Sequence, residues 1–337
     1  MIYLINFFAR KIEAVSRQVE LARKTSRDPI ITCCYLLNQK PLRLKDIKDN
    51  IWIFPPWLYP IVTFIIVSLT KCDIHLFEDE PSWWRKVALN LRKRKIYVSL
   101  FKDINPKLIR FLNQIKNLKS VSVEEEVSKK FVEKLLKNKS IPVFLIYPPP
   151  LWKSTDKKTT PKFGRHYLMA SWNGGSLRSL RERGVVDLLN ITKLTSGTCT
   201  IILRDSHVDQ LVKILDKMRI KNKVNLILPK NFNQLKKEFL KANYVVNIPQ
   251  KPTIKHTPNS LIDGIAIGKP VIISNCLRFS DTVKDKRIGI VLNKRNIKNV
   301  KVFSRNMYRQ ISKECSIWAR TNLSESYKAK ISRMYVK

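Results

Sequence analysis

Residues 244–274 run Tyr244-Val-Val-Asn-Ile-Pro249, through a basic loop from Lys251 to His256, into Pro258-Asn259-Ser260-Leu261-Ile-Asp263-Gly-Ile-Ala266-Ile-Gly268-Lys-Pro270-Val271-Ile272-Ile-Ser274. An apolar strand feeds a loop, the loop ends at a helix start, and one carboxylate, Asp263, sits a turn inside that helix. Gly268 and Pro270 stop the helix, and a second apolar strand follows over 271–274. The start of such a helix presents unpaired N–H groups and the positive end of its dipole, which together suit a phosphate. Asp263, just beyond, is placed to accept from ribose hydroxyls.

The segment resembles the donor-nucleotide signature of the retaining GT-B glycosyltransferases of group 1 (family 4-like), P-N-x-L-x-E-x-x-A-x-G-x-P-V-I. The matching residues are Pro258, Asn259, Leu261, Asp263, Ala266, Gly268, Pro270, Val271 and Ile272. A second stretch, Arg183-Gly184-Val-Val-Asp187-Leu-Leu189, resembles the family's K-G-x-x-x-L-L, whose lysine contacts the diphosphate. The resemblance implies an α/β GT-B fold, with two Rossmann-like doubly wound parallel-sheet domains facing across a cleft. It also implies a nucleotide sugar as substrate, UDP- or GDP-linked, with no cofactor and no metal. The implied donor-side residues are Arg178, Arg183, Lys255, Asn259, Ser260, Leu261 and Asp263.

Three departures from the family pattern mark where the resemblance thins. Family members often carry two glutamates eight residues apart, but counting back from Asp263 reaches Lys255. A lysine there suits either a sugar bearing a carboxylate or the diphosphate itself. Ala9-Arg10-Lys11 stands where a glycine-rich loop is expected after the first strand. Phe101-Lys102-Asp103 stands where the family places a histidine. Lys102 and Asp103 are therefore the acceptor-side catalytic candidates, with Asp103 orienting or deprotonating a hydroxyl.

At 337 residues the chain has room for about two domains. Hydrophobic residues reach 44%, which excludes a disordered chain. The net charge of +39, from 65 basic and 26 acidic residues, points to a nucleic acid, an anionic membrane or a phosphorylated substrate, or simply reflects lysine-rich composition. No zinc finger, RRM signature or KH loop supports nucleic acid. The six cysteines show no C-x-x-C spacing, so structural zinc has no support and a reduced, cytoplasmic compartment is expected. Residues 1–8 are apolar but are followed, not preceded, by Arg10 and Lys11, which reads as a first strand and not as a signal peptide.

Residues 51–69 hold no charge, yet Pro55, Pro56 and Pro60 break the first half. What remains, 61–69, is too short to span a bilayer and is expected to be a buried core helix, or else a monotopic dip into one leaflet. Residues 83–95 combine Trp83, Trp84, Val87 and Leu91 with six basic residues, the composition of an interfacial anchor or of an ordinary surface helix. Glu78-Asp79-Glu80 reads as solvated acids.

Alternating strands and helices give two sheets. In the first half, strands are expected over 2–8, 30–37, 51–54, 74–77, 96–101 and 143–147. Pro148-Pro149-Pro150 then interrupts the pattern. The second half is expected to run strand 166–170, helix 183–191, strand 200–203, helix 208–218, strand 224–228, helix 232–242, and the signature, with helices 302–319 and 324–335 last. The domains are expected at 1–150 on the acceptor side and 151–320 on the nucleotide-sugar side, with 321–337 as a helix returning to the first. The implied activity is retaining transfer of a hexosyl group to a lipid-linked, glycan or protein acceptor, in the cytoplasm or peripheral at its membrane face. The alternative is a nucleic-acid-binding or DNA-modifying protein on a GT-B scaffold.

Overall fold

Strands β1 (Ile2–Asn6), β2 (Ile30–Tyr35), β3 (Ile51–Phe54), β4 (Asp73–Glu78), β5 (Ile96–Leu100), β6 (Leu118–Val123) and β7 (Val143–Leu145) form one parallel sheet in the order β3-β2-β1-β4-β5-β6-β7. Strands β8 (His166–Trp172), β9 (Thr198–Leu203), β10 (Val224–Ile227), β11 (Tyr244–Asn247), β12 (Val271–Ser274) and β13 (Gly289–Leu292) form a second, also parallel, in the order β10-β9-β8-β11-β12-β13. The computed structural model describes residues 2–6, 30–35, 51–54, 61, 64–65, 68–69, 73–78, 83–91, 93–100, 104–152, 163–172, 176–203, 208–229, 231–252, 257–293, 300, 303–323 and 325–336. Residues Met1–Pro149 with Glu325–Lys337 make one compact unit, and Pro150–Ser324 make the other.

In the first unit the crossover helices α1 (Trp83–Asn90), α2 (Pro106–Leu112) and α3 (Glu126–Leu135) cover one face of the sheet. Leu89, Leu108, Phe111 and Val132 pack there against Ile74, Leu76, Val98 and Val121, with Phe64 adding a partly buried ring. The other face sets polar groups around a small apolar cluster of Tyr97, Ile146, Ile331 and Met334. His75, Ser99, Ser120 and Ser122 are all buried on it, under the C-terminal helix α11 (Glu325–Val336). Each finds a partner there. His75 Nδ1 meets the Tyr335 hydroxyl at 2.7 Å and its Nε2 meets Ser99 Oγ at 2.8 Å. Ser99 Oγ meets Ser122 Oγ at 2.6 Å, and Ser120 Oγ donates to the Met334 carbonyl at 3.1 Å. Burial of the imidazole lowers its pKa to about 3, so His75 is neutral.

Two expectations fail in this unit. Residues 61, 64–65 and 68–69 are helical, but Ile61, Ile65 and Leu69 are 55%, 47% and 66% exposed. Successive residues four apart share a helix face, so this is an apolar stripe turned to solvent and not a buried core helix. No helix among the described residues is long and apolar enough to cross a membrane. In the basic segment 83–95, Arg94 is 5% exposed, so it belongs to the interior and not to the cationic surface of Lys86, Lys93 and Lys95.

The second unit interleaves α4 (Leu177–Glu182), α5 (Val185–Leu194), α6 (Asp209–Met218), α7 (Phe232–Lys241), α8 (Asn259–Ala266), α9 (Phe279–Asp285) and α10 (Arg305–Leu323) with its strands. The signature helix α8 lies against β11 so closely that a Cβ at Gly264 would come within 2.5 Å of Val245 Cγ2. From the other side α10 crosses α8, where Ser312 Oγ donates to the Gly268 carbonyl.

Candidate donor site in the second unit

The order β10-β9-β8-β11-β12-β13 reverses direction between β8 and β11. In a doubly wound sheet, the crevice beyond the carboxyl ends of the two strands at that switch is where ligands bind. The segments that follow β8 and β11 are those picked out by the sequence: the α4–α5 turn with Arg183, and the loop leading to α8.

The turn and the loop are joined. Arg183 ends α4 and Gly184 opens α5 with φ +77°. Any side chain at 184 would be strained in that left-handed conformation, and its Cβ would lie 1.9 Å from the Ile248 carbonyl oxygen just past β11. Glycine is what lets the turn sit on the loop. The expected helix over 183–191 is α5, which begins after the Arg183–Gly184 break; the separate helix α4 before it was not expected, and Arg183 stands at the break between them.

Further contacts fix the loop. Gln250 N–H donates to the Glu182 carbonyl at 2.8 Å, and Gln250 Nε2 donates to Asp187 Oδ2 at 3.1 Å. Cys276, in the turn after β12, donates from Sγ to the Pro249 carbonyl at 3.1 Å. Gln250, Asp187 and Cys276 were not picked out from sequence. Asp187 lies inside the K-G-x-x-x-L-L match and was the nearest signal. The other two act through contacts 63 and 27 residues away in the chain.

Of the candidates, Arg183 is exposed and has no ion-pair partner among the described residues. Arg178 is engaged with Glu182 Oε1 at 3.0 Å, and Lys251 reaches the same oxygen at 2.9 Å. These two cations, Lys251 foremost, hold the Glu182 carboxyl below its usual range. Asn259 and Ser260 open α8 behind Pro258, which supplies no side-chain cap. Their N–H groups thus have no carbonyl of their own helix to meet. The Asn259 Oδ1 is buried without a hydrogen-bond partner among the described residues. Leu261 is fully buried, so its side chain is core. Lys102, Asp103, Lys255 and His256 lie outside the described residues, as do Asp79 and Glu80. Among the described residues no three of His, Cys, Asp or Glu gather as a metal set.

Asp263 has a local role the sequence did not disclose. It is 2% exposed, and its Oδ1 accepts the Leu151 N–H at 2.8 Å. Its carbonyl accepts the Trp152 indole N–H at 3.1 Å, and the indole packs edge-on against Phe239 at 5.0 Å. The signature carboxylate therefore anchors the first residues of the second unit to α8.

Glycosyltransferases are among the solved structures with this architecture. A glycosyltransferase from Rickettsia africae ESF-5 is 14% identical with a TM-score of 0.68, over 98% of this chain and 96% of that one. Anabaena Alr3699/HepE, in complex with UDP-glucose, is 13% identical with a TM-score of 0.70, over 98% of both chains. The chain has the GT-B fold. The lipopolysaccharide outer core galactosyltransferase WaaB shares that fold too, at 11% identity and a TM-score of 0.67 over 99% of both chains. No protein-family model and no curated protein matches the sequence. At these identities the GT-B likeness is one of fold, and the chemistry must be argued from the residues themselves.

Proposed function

We propose that this chain is a retaining, metal-independent hexosyltransferase that takes a sugar from a nucleotide-activated donor and passes it to a lipid-linked, glycan or protein acceptor. The observation that carries the proposal is the meeting, at the switch point of the second sheet, of the Arg183–Gly184 turn with the loop that leads to the start of α8. The UDP-glucose held by the Anabaena protein makes a uridine nucleotide the first donor to try.

In this account the bond from the sugar's anomeric carbon to the diphosphate breaks and the acceptor oxygen takes its place. Negative charge grows on the leaving phosphate. Arg183 and the N–H groups at Asn259 and Ser260 meet that charge, and preorganised donors of this kind lower a barrier because they need not reorganise. Asp263 and Asn259 hold the nucleoside end, Lys255 supplies a charge for the diphosphate or the sugar, and Arg178 lends positive potential. On the acceptor side, Asp103 with Lys102 orients the incoming hydroxyl and removes its proton.

An anionic membrane at the cytoplasmic face is the proposed setting. The support is the exposed stripe of Ile61, Ile65 and Leu69, the exposed Val87 and Leu91, and the lysines at 86, 93 and 95, all in the first unit. Aliphatic side chains beside lysines suit a headgroup interface.

The test is a screen of sugar nucleotides by thermal unfolding. A ligand at a hundredfold excess over its Kd adds about 2.7 kcal/mol of stability. Turnover with the stabilising donor should survive EDTA, and NMR should find the donor's anomeric configuration kept in the product. No stabilisation by any nucleoside diphosphate, or inversion at the anomeric carbon, would sink the proposal.

A further inference from the structure

The second sheet ends on β13, which among the described residues pairs with β12 alone. Beside β13 runs an open groove of about 780 Å³. Gly289 and Val291, two apart on the strand, form one side of it, and Met307 and Ile311, a turn apart on α10, form the other. Met307 is 52% exposed, although its neighbour Tyr308 is wholly buried. Where the chain enters β13, Lys284, Lys286 and Arg287 line the groove, all exposed, outnumbering its two acids, the exposed Asp285 and the half-buried Glu314 on α10.

Each feature selects an occupant. An edge strand offers alternating N–H and C=O groups at the spacing of another extended backbone, which a nucleic acid or a lipid does not possess. An added strand projects every second side chain to one face, and here that face meets Met307 and Ile311, so the occupant carries apolar residues at alternate positions. The three cations at the entrance favour carboxylates on the positions between. A second copy of this chain is a poor fit, since it brings its own charge of +39 against the same cations. We propose that the β13 edge and its groove bind an extended, acidic segment of a partner protein by strand addition.

The test uses the full chain and a fluorescent peptide of alternating glutamate and valine, followed by anisotropy. Binding should weaken at least tenfold in Met307→Glu and in Lys284→Glu/Lys286→Glu, both changes to exposed residues. UDP should stabilise each variant as much as the parent, which separates this surface from the donor site. A peptide of the same charge interrupted by prolines, which cannot donate to the strand, should also bind at least tenfold more weakly. In hydrogen exchange the outward amides of residues 289–292 should gain protection when the alternating peptide is bound. The proposal is overturned if the peptide does not bind, if the proline version binds equally, or if neither variant weakens binding. It is also overturned if the chain alone forms a dimer that Met307→Glu dissolves, because the edge then belongs to a second copy.

Discussion

Replacing Asp263 by alanine should unfasten the start of the second unit from its signature helix. The carboxylate is 2% exposed and takes the Leu151 N–H at 2.8 Å. A hydrogen bond to a charged group contributes about 1.5–3 kcal/mol, and the stranded N–H adds a penalty where water cannot reach it. A loss of about 2 kcal/mol follows, which for a domain of this size lowers the melting temperature by roughly 5 °C. Asp263→Asn keeps an oxygen acceptor in the same place and should lose less than half as much. Thermal unfolding of the three proteins, without ligand, measures this directly. Because the proposed function has the same carboxylate hold the nucleoside, UDP affinity measured by calorimetry should fall about tenfold in the alanine variant, or about 1.4 kcal/mol. An alanine variant that melts with the parent would refute the anchoring role. So would an asparagine variant that falls as far as the alanine one.

Three other predictions follow from single features. Gly184→Ala places a Cβ 1.9 Å from the Ile248 carbonyl at a φ of +77°, so the turn must lift from the loop; UDP affinity should drop at least tenfold by calorimetry, and an unchanged Kd would mean the two segments are not one site. Lys269 is 5% exposed, and burial lowers its pKa from 10.5 to about 8. Between these values the unfolded chain binds more protons, so urea unfolding should show stability rising by about 2 kcal/mol from pH 7 to 9.5, and Lys269→Met should abolish that rise. The protein should cosediment with anionic but not neutral liposomes, and Lys86→Glu/Lys93→Glu/Lys95→Glu should release it, since each cation near such a surface contributes about 1 kcal/mol; DNA that strips the parent while the triple variant keeps its lipid binding would favour a nucleic-acid partner instead.

What the sequence disclosed was what local pattern can carry. The apolar strand 244–247, the stop at Gly268 and Pro270, and the strand 271–274 each depend on neighbours a few residues away, and all stand in the structure. Strand β6 was missed because Lys119, Ser120 and Ser122 interrupt its apolar run. Both serines are satisfied, Ser120 by Met334 and Ser122 by Ser99, which no local window contains. Strand β13 was missed as well, being four residues long and half-exposed at three of them. The run 61–69 misled for the opposite reason: absence of charge reads as burial, yet three of its aliphatics face solvent. At the site, the residue types were legible and their partners were not. Asp263 could be seen as a lone carboxylate on a helix, but its bond to Leu151 closes a separation of 112 residues.

Where a donor nucleotide binds decides the proposed function. Hydrogen-exchange mass spectrometry of the full chain, with and without UDP, tests this most directly. Protection is predicted in the second unit at 183–187, 248–252 and 259–263, the segments that converge beyond β8 and β11. UDP binding that leaves those three segments unchanged, or that protects only the first unit, would contradict it.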